Sequence, residues 1–211
     1  KRMKININPP NVNASEADFT ILDDFTIQYG LAAIKNVGYK SAQHISENRL
    51  KNGNYSSIFD LCTIEEGINK KVLESLILVG ACDNFKEHRA QMHNSIDIII
   101  DFNNKYNKNK NSNQENLFAS QDSLNIQYPT LDHSEVWTKE QCLKHEKELL
   151  GFYLTDNPLS KYEDDIFELT FKKPKGDILY MSGIITDIKE RFDKKGNKWG
   201  LVTIETLENS V

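Results

Sequence analysis

Cysteine and long apolar stretches are scarce in this chain of 211 residues. The three cysteines, Cys62, Cys82 and Cys142, are widely spaced and form no C-x-x-C pair, which argues against a disulfide framework or a zinc site. Reduced thiols of this kind predict a cytoplasmic protein. No apolar run approaches the ~20 residues that span a bilayer. The N-terminus lacks the apolar core of a signal peptide, so we expect no membrane partner.

Sequence patterns of catalysis are missing as well. There is no G-x-S-x-G, P-loop or dinucleotide fingerprint, and the five histidines show no metal-ligand spacing with a third group. The acidic pairs Asp23-Asp24 and Asp164-Asp165 are better explained as solvated carboxylates than as metal ligands. We therefore predict no catalytic residue, no metal and no cofactor in this chain. The net charge of −5 excludes a histone-like protein but is compatible with a local basic surface.

Hydrophobic periodicity predicts a mostly α-helical chain with strands at both ends. Alternating β-branched and aromatic residues over 19–31 indicate a β-hairpin. Asn69 is placed to cap a helix, and Thr138-x-x-Gln141 has the spacing of a capping box. The polar, low-complexity composition that begins at Asn103 predicts a flexible segment over 103–134. We predict helices over 40–50, 57–62, 70–79, 86–102, 138–151 and 158–167, and an antiparallel strand pair over 178–189 and 199–207.

The segment 33–45 has the layout of a helix-hairpin-helix element. A short helix, a tight turn through Gly38 and a second helix would expose successive backbone amides at a helix N-terminus, where an anion is favoured. Residues 30–51 contain four basic side chains and one acid, a local charge of +3. The spacing alone fits an ordinary αα-corner equally well. The candidate phosphate contacts are Lys35, Asn36, Val37, Gly38, Tyr39, Lys40 and Ser41.

Two weaker patterns follow. Residues 70–82 could form a second hairpin with contacts at Gly80 and Ala81, although by itself this pattern fits a Schellman-type helix end better. Residues 114–118 read Q-E-N-L-F and have the form of a short linear motif that places two apolar side chains in a partner's pocket. Taken alone, this pattern is better explained by the apolar pair folding back onto its own domain.

Several segments, taken together and in order, resemble the bacterial C-family of replicative DNA polymerases, the DNA polymerase III alpha subunit. No single segment is decisive, but the ordered set is specific and covers nearly the whole chain. The segments are Pro9-Pro10-Asn11-Val12-Asn13 with Phe19; residues 27–38, I-Q-Y-G-L-A-A-I-K-N-V-G; residues 71–81, K-V-L-E-S-L-I-L-V-G-A; residues 114–118; residues 146–159, E-K-E-L-L-G-F-Y-L-T-D-N-P-L; and K-K-G at 194–196 with L-V-T-I-E at 201–205.

The resemblance implies a division into three parts. Residues 1–134 would be a tandem helix-hairpin-helix region that binds primer–template duplex, residues 135–175 connecting helices, and residues 176–211 the first strands of a truncated OB domain that faces single-stranded template. The resemblance also favours a partner-binding motif at residues 114–118 over an apolar pair that folds back onto its own domain. These residues would bind the sliding clamp. The clamp contacts would be Gln114, Glu115, Asn116, Leu117 and Phe118.

By the same resemblance, the parent protein would be a DNA-directed DNA polymerase, a nucleotidyltransferase that works with other replicase subunits. Its catalytic palm and the Mg²⁺ expected there would lie upstream of this chain. The hairpin departs from the family pattern because Asn36 and Lys40 replace glycines. Asparagine tolerates a left-handed backbone, whereas a lysine there would be strained, so the turn at Lys40 is expected to differ. Two alternatives stay open: an interaction module with purely structural hairpins, and the error-prone branch of the same family.

Overall fold

A computed structural model describes residues 4–64, 68–114, 128–166 and 182–206 of the chain. The chain divides into two compact units, Lys1–Leu154 and Thr155–Val211. The predicted fold class is confirmed: helices dominate the first unit behind a small N-terminal sheet, and the second unit contains an antiparallel strand pair of the kind that opens an OB fold.

The N-terminal sheet has three short strands, β1 (Asn6–Asn8), β2 (Thr20–Asp23) and β3 (Thr26–Gln28), in the order β1-β3-β2. Strands β2 and β3 are antiparallel and form the predicted hairpin, whose turn is closed by a hydrogen bond from the Phe25 amide to Asp23 Oδ1 at 2.8 Å. Strand β1 pairs in parallel with β3. It lies at the edge of the sheet, the position compatible with the two prolines that follow it.

The helical part begins with a 3-10 turn at Leu31–Ala33 and continues with α1 (Tyr39–Asn52), α2 (Ile58–Cys62) and α3 (Lys70–Leu78). Ser57 and Asp60 form a capping box at α2, and Asn69 Oδ1 accepts a hydrogen bond from the Val72 amide at 3.0 Å at α3. These local signals lie within four residues of the helix ends they define. The helix boundaries predicted from them agree with the structure to within two residues.

The predicted helix over 86–102 is two helices, α4 (Arg89–Asn94) and α5 (Ile96–Gln114), separated at Ser95. Ser95 is buried, and its hydroxyl oxygen accepts a hydrogen bond from the Asp132 amide at 2.8 Å. This tertiary contact connects the break to a segment 37 residues away. Periodicity could not indicate the break, because both helices continue the same apolar pattern.

Helix α5 also extends through residues 103–114, where composition predicts a flexible segment. Phe102 and Tyr106 lie one turn apart with stacked rings, and Phe102 packs edge-to-face on Phe59 at 5.0 Å. Beyond residues 115–127, Tyr128 stacks on Phe59 at 5.1 Å, and Leu131 reaches the core. Aromatic packing therefore orders both ends of a stretch whose polar composition suggested no core contact.

Helix α6 (Lys139–Leu150) is the last helix of the first unit. Its capping box, Thr138 with Gln141, is as predicted, and the helix is followed by Gly151, whose backbone is left-handed. Leu149 packs into the core. The buried carboxylate of Glu146 accepts a hydrogen bond from the Leu154 amide at 2.7 Å, which folds the chain after the helix back against α6.

The core of the first unit combines side chains from the 3-10 turn and α1–α5. The largest fully buried apolar side chains are Leu31, Ile34, Ile45, Ile58, Leu61, Leu73, Leu76, Ile77, Met92 and Ile99. Arg49, on α1, crosses the edge of this core and donates hydrogen bonds to the carbonyls of Val12 at 2.9 Å and Ser15 at 2.7 Å. It thereby fixes the irregular segment between β1 and β2 to α1.

In the second unit, β4 (Ile184–Phe192) and β5 (Lys198–Glu205) form the predicted antiparallel pair. Asp193 shapes the connecting loop: its Oδ1 accepts hydrogen bonds from the amides of Lys195 and Asn197, each at 2.8 Å. Gly196 has φ +84°, a left-handed backbone that glycine adopts without a steric penalty because it has no Cβ.

Candidate nucleic-acid interface

The hairpin turn, residues 35–41, joins the 3-10 turn to α1. The Val37 amide donates to the Ile34 carbonyl at 3.0 Å, and the Val37 side chain is buried. Gly38 follows in an extended conformation (φ −70°, ψ 152°) as the N-cap of α1. The chain therefore anchors the turn through Val37 and directs the next residues to the surface.

The start of α1 presents backbone amides to solvent. No side chain caps this helix, and within the described part of the chain the amides of Gly38, Tyr39 and Ser41 donate to no acceptor. Gly38, Tyr39 and Lys40 are exposed. A helix N-terminus carries partial positive charge from unsatisfied amides, so the arrangement can receive an anion.

Side-chain charge adds to this field. Lys35 and Lys40 are both exposed on either side of Gly38, and the first turn of α1 contains no acidic residue. Tyr39 is exposed, and its hydroxyl donates to Asp18 Oδ2 at 3.0 Å. This hydrogen bond, more than the carboxylate charge and burial, raises the pKa of Tyr39. The tyrosine therefore stays a neutral donor beside the exposed amides.

Two other helices contact the hairpin turn. The Lys35 amide donates to the Leu149 carbonyl near the end of α6 at 3.0 Å. Asn36 Nδ2 donates to Ser75 Oγ of α3 at 3.2 Å. Asn36 has φ +71°, as expected for an asparagine in a glycine position. Lys40 lies within α1 and is not among the residues with positive φ, so it does not carry the strain of a left-handed backbone.

The second predicted hairpin contact has a different geometry. The Gly80 amide donates to the Ile77 carbonyl at 3.0 Å and the Ala81 amide to the Leu76 carbonyl at 2.9 Å, the two bonds of a Schellman motif. Ala81 is fully buried, and its carbonyl accepts from the Val12 amide at 2.9 Å. Because these groups are used inside the protein, Gly80 and Ala81 have no amide left for a phosphate.

Of the predicted clamp motif, only Gln114 lies in the described part of the chain, as the last residue of α5. Glu115, Asn116, Leu117 and Phe118 lie outside the described residues.

Among the residues that the structure describes, no group of three or more His, Cys, Asp or Glu side chains could hold a metal ion. In the same residues, no helix has the length and apolarity to cross a bilayer.

Sequence reasoning missed the groups that support the hairpin turn from behind, Ser75, the Leu149 carbonyl and Asp18. Each belongs to another element and meets the turn only after folding. The one signal in the sequence was the asparagine at residue 36, because a non-glycine residue in a left-handed turn often hydrogen-bonds through its side chain. Its partner could not be identified from spacing.

Comparisons with known proteins agree with this geometry. A protein-family model described as "Helix-hairpin-helix motif" matches residues 4–92. The chain is similar to proteins named "DNA polymerase III subunit alpha". Identity is 33% over 222 residues with the protein of Buchnera aphidicola subsp. Schizaphis graminum (99% of this chain, 19% of that protein). With that of Escherichia coli K12 it is 30% over 218 residues (97% of this chain, 18% of that protein). With that of Neisseria meningitidis Z2491 it is 31% over 210 residues (96% and 18%).

The chain spans about a fifth of the length of the curated relatives it matches. The similarity extends along nearly all of this chain and includes the hairpin turn. The resemblance based on the ordered sequence segments is therefore confirmed.

Proposed function

We propose, on the premise that this chain is related along nearly its whole length to a segment of bacterial DNA polymerase III alpha subunits, that it holds duplex DNA for a replicative polymerase. The contact would be the hairpin turn, where Lys35 and Lys40 flank the exposed amides of Gly38 and Tyr39. The observation that carries the proposal is this uncapped N-terminus of α1, which lies inside the region matched by the helix-hairpin-helix family. Primer–template is the proposed duplex.

The chemistry suits a phosphate backbone better than a base edge. Amides at a helix N-terminus and lysine ammonium groups bind phosphate oxygens in any sequence. A polymerase needs such sequence-independent contacts, because it must hold every duplex that it makes. The described residues contribute binding and orientation, and we assign them no step in nucleotide addition.

The activity of the whole protein is part of the proposal. We propose a DNA-directed DNA polymerase of the cytoplasm whose palm, with its Mg²⁺, lies in another part of the polypeptide. Other replicase subunits are proposed partners. The β4–β5 pair is proposed to belong to a domain that faces single-stranded template.

Fluorescence anisotropy with a labelled DNA duplex tests the hairpin turn. We expect binding by the 211-residue chain to weaken as salt rises, with a log–log slope of about −0.9 for each phosphate neutralised. Lys35→Ala and Lys40→Ala should each weaken binding to all duplex sequences alike. Each should also make the slope shallower by about 0.9 if that lysine neutralises one phosphate.

Lys105→Ala is the matched control, because Lys105 is an exposed lysine on α5, which packs on α2, α3 and α4. It should leave both affinity and slope unchanged. Absence of duplex binding at low salt, or equal effects of all three lysine variants, would refute the assignment. That result would favour the alternative in which the hairpins are purely structural parts of an interaction module.

Tethering to the sliding clamp is the second part of the proposal. It is supported by the Q-E-N-L-F pattern and by the similarity to polymerase alpha subunits. Gln114, the first residue of the pattern, is the last residue of α5. A tether turns repeated capture of DNA into an intramolecular event and so gives processivity without new chemistry.

Isothermal titration calorimetry of the chain with a bacterial sliding clamp tests the tether. Leu117→Ala combined with Phe118→Ala should abolish the binding heat, because the two apolar side chains would fill the clamp pocket. Ser123→Ala, which lies outside residues 114–118, is the matched control and should bind like the unmodified chain. Unchanged affinity of the double variant would show that the motif is not the clamp contact.

A further inference from the structure

We propose that Ser75 is a positioning residue for the hairpin turn, acting through the side chain of Asn36. This inference rests on the proposed DNA contact and deepens it. It assigns to helix α3 the task of holding the turn of the first hairpin in the shape that binds phosphate. The carrying observation is the hydrogen bond from Asn36 Nδ2 to Ser75 Oγ at 3.2 Å between elements 39 residues apart.

The backbone at Asn36 explains why such a contact matters. Its φ of +71° lies in the left-handed region, which side chains other than glycine adopt at a cost. An asparagine there gains from a hydrogen bond that holds its side chain in one orientation. The residue stands directly between Lys35 and Val37, so its conformation sets the direction of both the lysine and the buried anchor.

Ser75 is an unusual residue for its place in the fold. It lies on the buried face of α3 with Val72 and Leu76, and only 2% of its surface is exposed. A hydroxyl on the core-facing side of a helix costs free energy unless it finds a partner. Asn36 supplies that partner, so the polar group on α3 and the left-handed residue in the turn satisfy each other.

The neighbouring residues restrict the turn further. The Lys35 amide donates to the Leu149 carbonyl of α6, and the Val37 amide donates to the Ile34 carbonyl. Three successive residues are therefore each fixed by a hydrogen bond, two of them to other helices. Asn36 is the one of the three held through its side chain, and so it can be tested by substitution without removing a backbone bond.

The arrangement gives the second hairpin a role in binding. Its own turn has used the amides of Gly80 and Ala81 in a Schellman motif. Its first helix, α3, instead supports the turn of the first hairpin. The two hairpins would then act as one phosphate contact and its support, and not as two equal contacts.

Substitution at either end of the hydrogen bond should lower DNA affinity without removing a phosphate contact. Without the bond the turn visits other conformations, and the apparent affinity falls by the fraction of chains that stay competent. One neutral hydrogen bond corresponds to a change in dissociation constant of about two- to tenfold. Asn36→Ala should cause a larger loss, because alanine also resists the left-handed backbone.

The experiment measures duplex binding by the 211-residue chain and four variants, using anisotropy over a range of salt concentrations. The variants are Ser75→Ala, Asn36→Gly, the two combined, and Ser46→Ala as the matched control. Ser46 is also a buried serine in a helix, but its hydroxyl donates to the Gln43 carbonyl within α1. Circular dichroism verifies that every variant is folded, which is expected since alanine favours a helix and glycine accepts a positive φ.

The inference predicts three results together. Ser75→Ala and Asn36→Gly each weaken binding by about two- to tenfold, the double variant is no weaker than the weaker single variant, and the salt slope stays at the value of the unmodified chain. Ser46→Ala binds normally. Normal binding by Ser75→Ala, or losses that add in the double variant, would overturn the positioning role while the lysine variants still support DNA binding. If the unmodified chain binds no duplex, the proposed function fails and this inference fails with it.

Discussion

Gly80 offers a direct test of how the second hairpin is built. Its φ is +83°, and a methyl group added there would overlap the Nη2 and Cζ atoms of Arg89 and lie 2.8 Å from Asp83 Oδ2. Arg89 is paired with Asp83 through two hydrogen bonds, from Nε at 2.8 Å and Nη2 at 2.5 Å. Gly80→Ala therefore strains the backbone and displaces an ion pair at the same time.

The two costs can be separated in magnitude. The left-handed backbone costs an alanine about 1–2 kcal/mol. Displacing the ion pair adds about 1 kcal/mol, since the Arg89 side chain is only 17% exposed but Asp83 is half exposed and its charge is screened by solvent. We expect Gly80→Ala to lower the free energy of unfolding by about 2–3 kcal/mol in all.

Gly151→Ala is the matched control. Gly151 also follows a helix with a left-handed backbone, φ +88°, but nothing lies within 4 Å of the added methyl group. It should cost only the backbone strain, about 1–2 kcal/mol. Urea unfolding followed by tryptophan fluorescence measures both variants. A Trp199→Phe background leaves Trp137 as the reporter of the first unit. Equal losses for the two glycine variants would refute the reasoning about Arg89.

Two further predictions concern ionisable groups in the first unit. Burial raises the pKa of Cys62 to about 12 and that of Cys82 well above its usual value. A thiol reagent at pH 8 should therefore modify Cys142 alone in the folded chain and all three cysteines in denaturant. Rapid modification of Cys82 in the folded chain would contradict the packing. Burial tends to raise the pKa of Asp60, but hydrogen bonds from two hydroxyl groups and backbone amides outweigh it and lower that pKa. Its stabilising contribution is present above the ordinary carboxyl pKa and is lost as the pH falls through the lowered one. Asp60→Asn should therefore flatten the acid side of the stability–pH profile, and an unchanged profile would show that these bonds do not favour the charged form.

Local chemistry explains which parts of the fold could be predicted from the sequence. The caps at Ser57, Asn69 and Thr138 and the glycine at residue 151 act within a single helical turn, so a short window of sequence contains the whole interaction. The strand pair around Asp193 is local in the same sense. The helix ends at these four positions were therefore predicted to within two residues, and the two strands were predicted to pair, although β4 covers 184–192 where 178–189 was expected.

Contacts between distant segments account for the differences. Ser95 interrupts the helix predicted over 86–102 because its buried hydroxyl binds the Asp132 amide, 37 residues further along the chain. Helix α5 continues into a polar stretch where Phe59 of α2 and Tyr128 pack on Phe102, whose ring stacks with that of Tyr106. In both cases the deciding partner lies outside any window over which periodicity or composition is read.

The hairpin turn combines both kinds of information, which explains why its spacing alone fitted two interpretations. An αα-corner and a phosphate-binding hairpin share the same apolar positions and the same glycine. They differ in whether the amides after the glycine stay free of internal acceptors, and that depends on distant groups. Here Ser75 and the Leu149 carbonyl bind Asn36 and Lys35 before the glycine, so no internal acceptor needs to approach Gly38 and Tyr39. The second hairpin shows the opposite outcome, since the amides of Gly80 and Ala81 donate to carbonyls at the end of its own first helix. In this chain the two turns therefore differ in which amides remain without an internal acceptor, and only the first leaves such amides after its glycine.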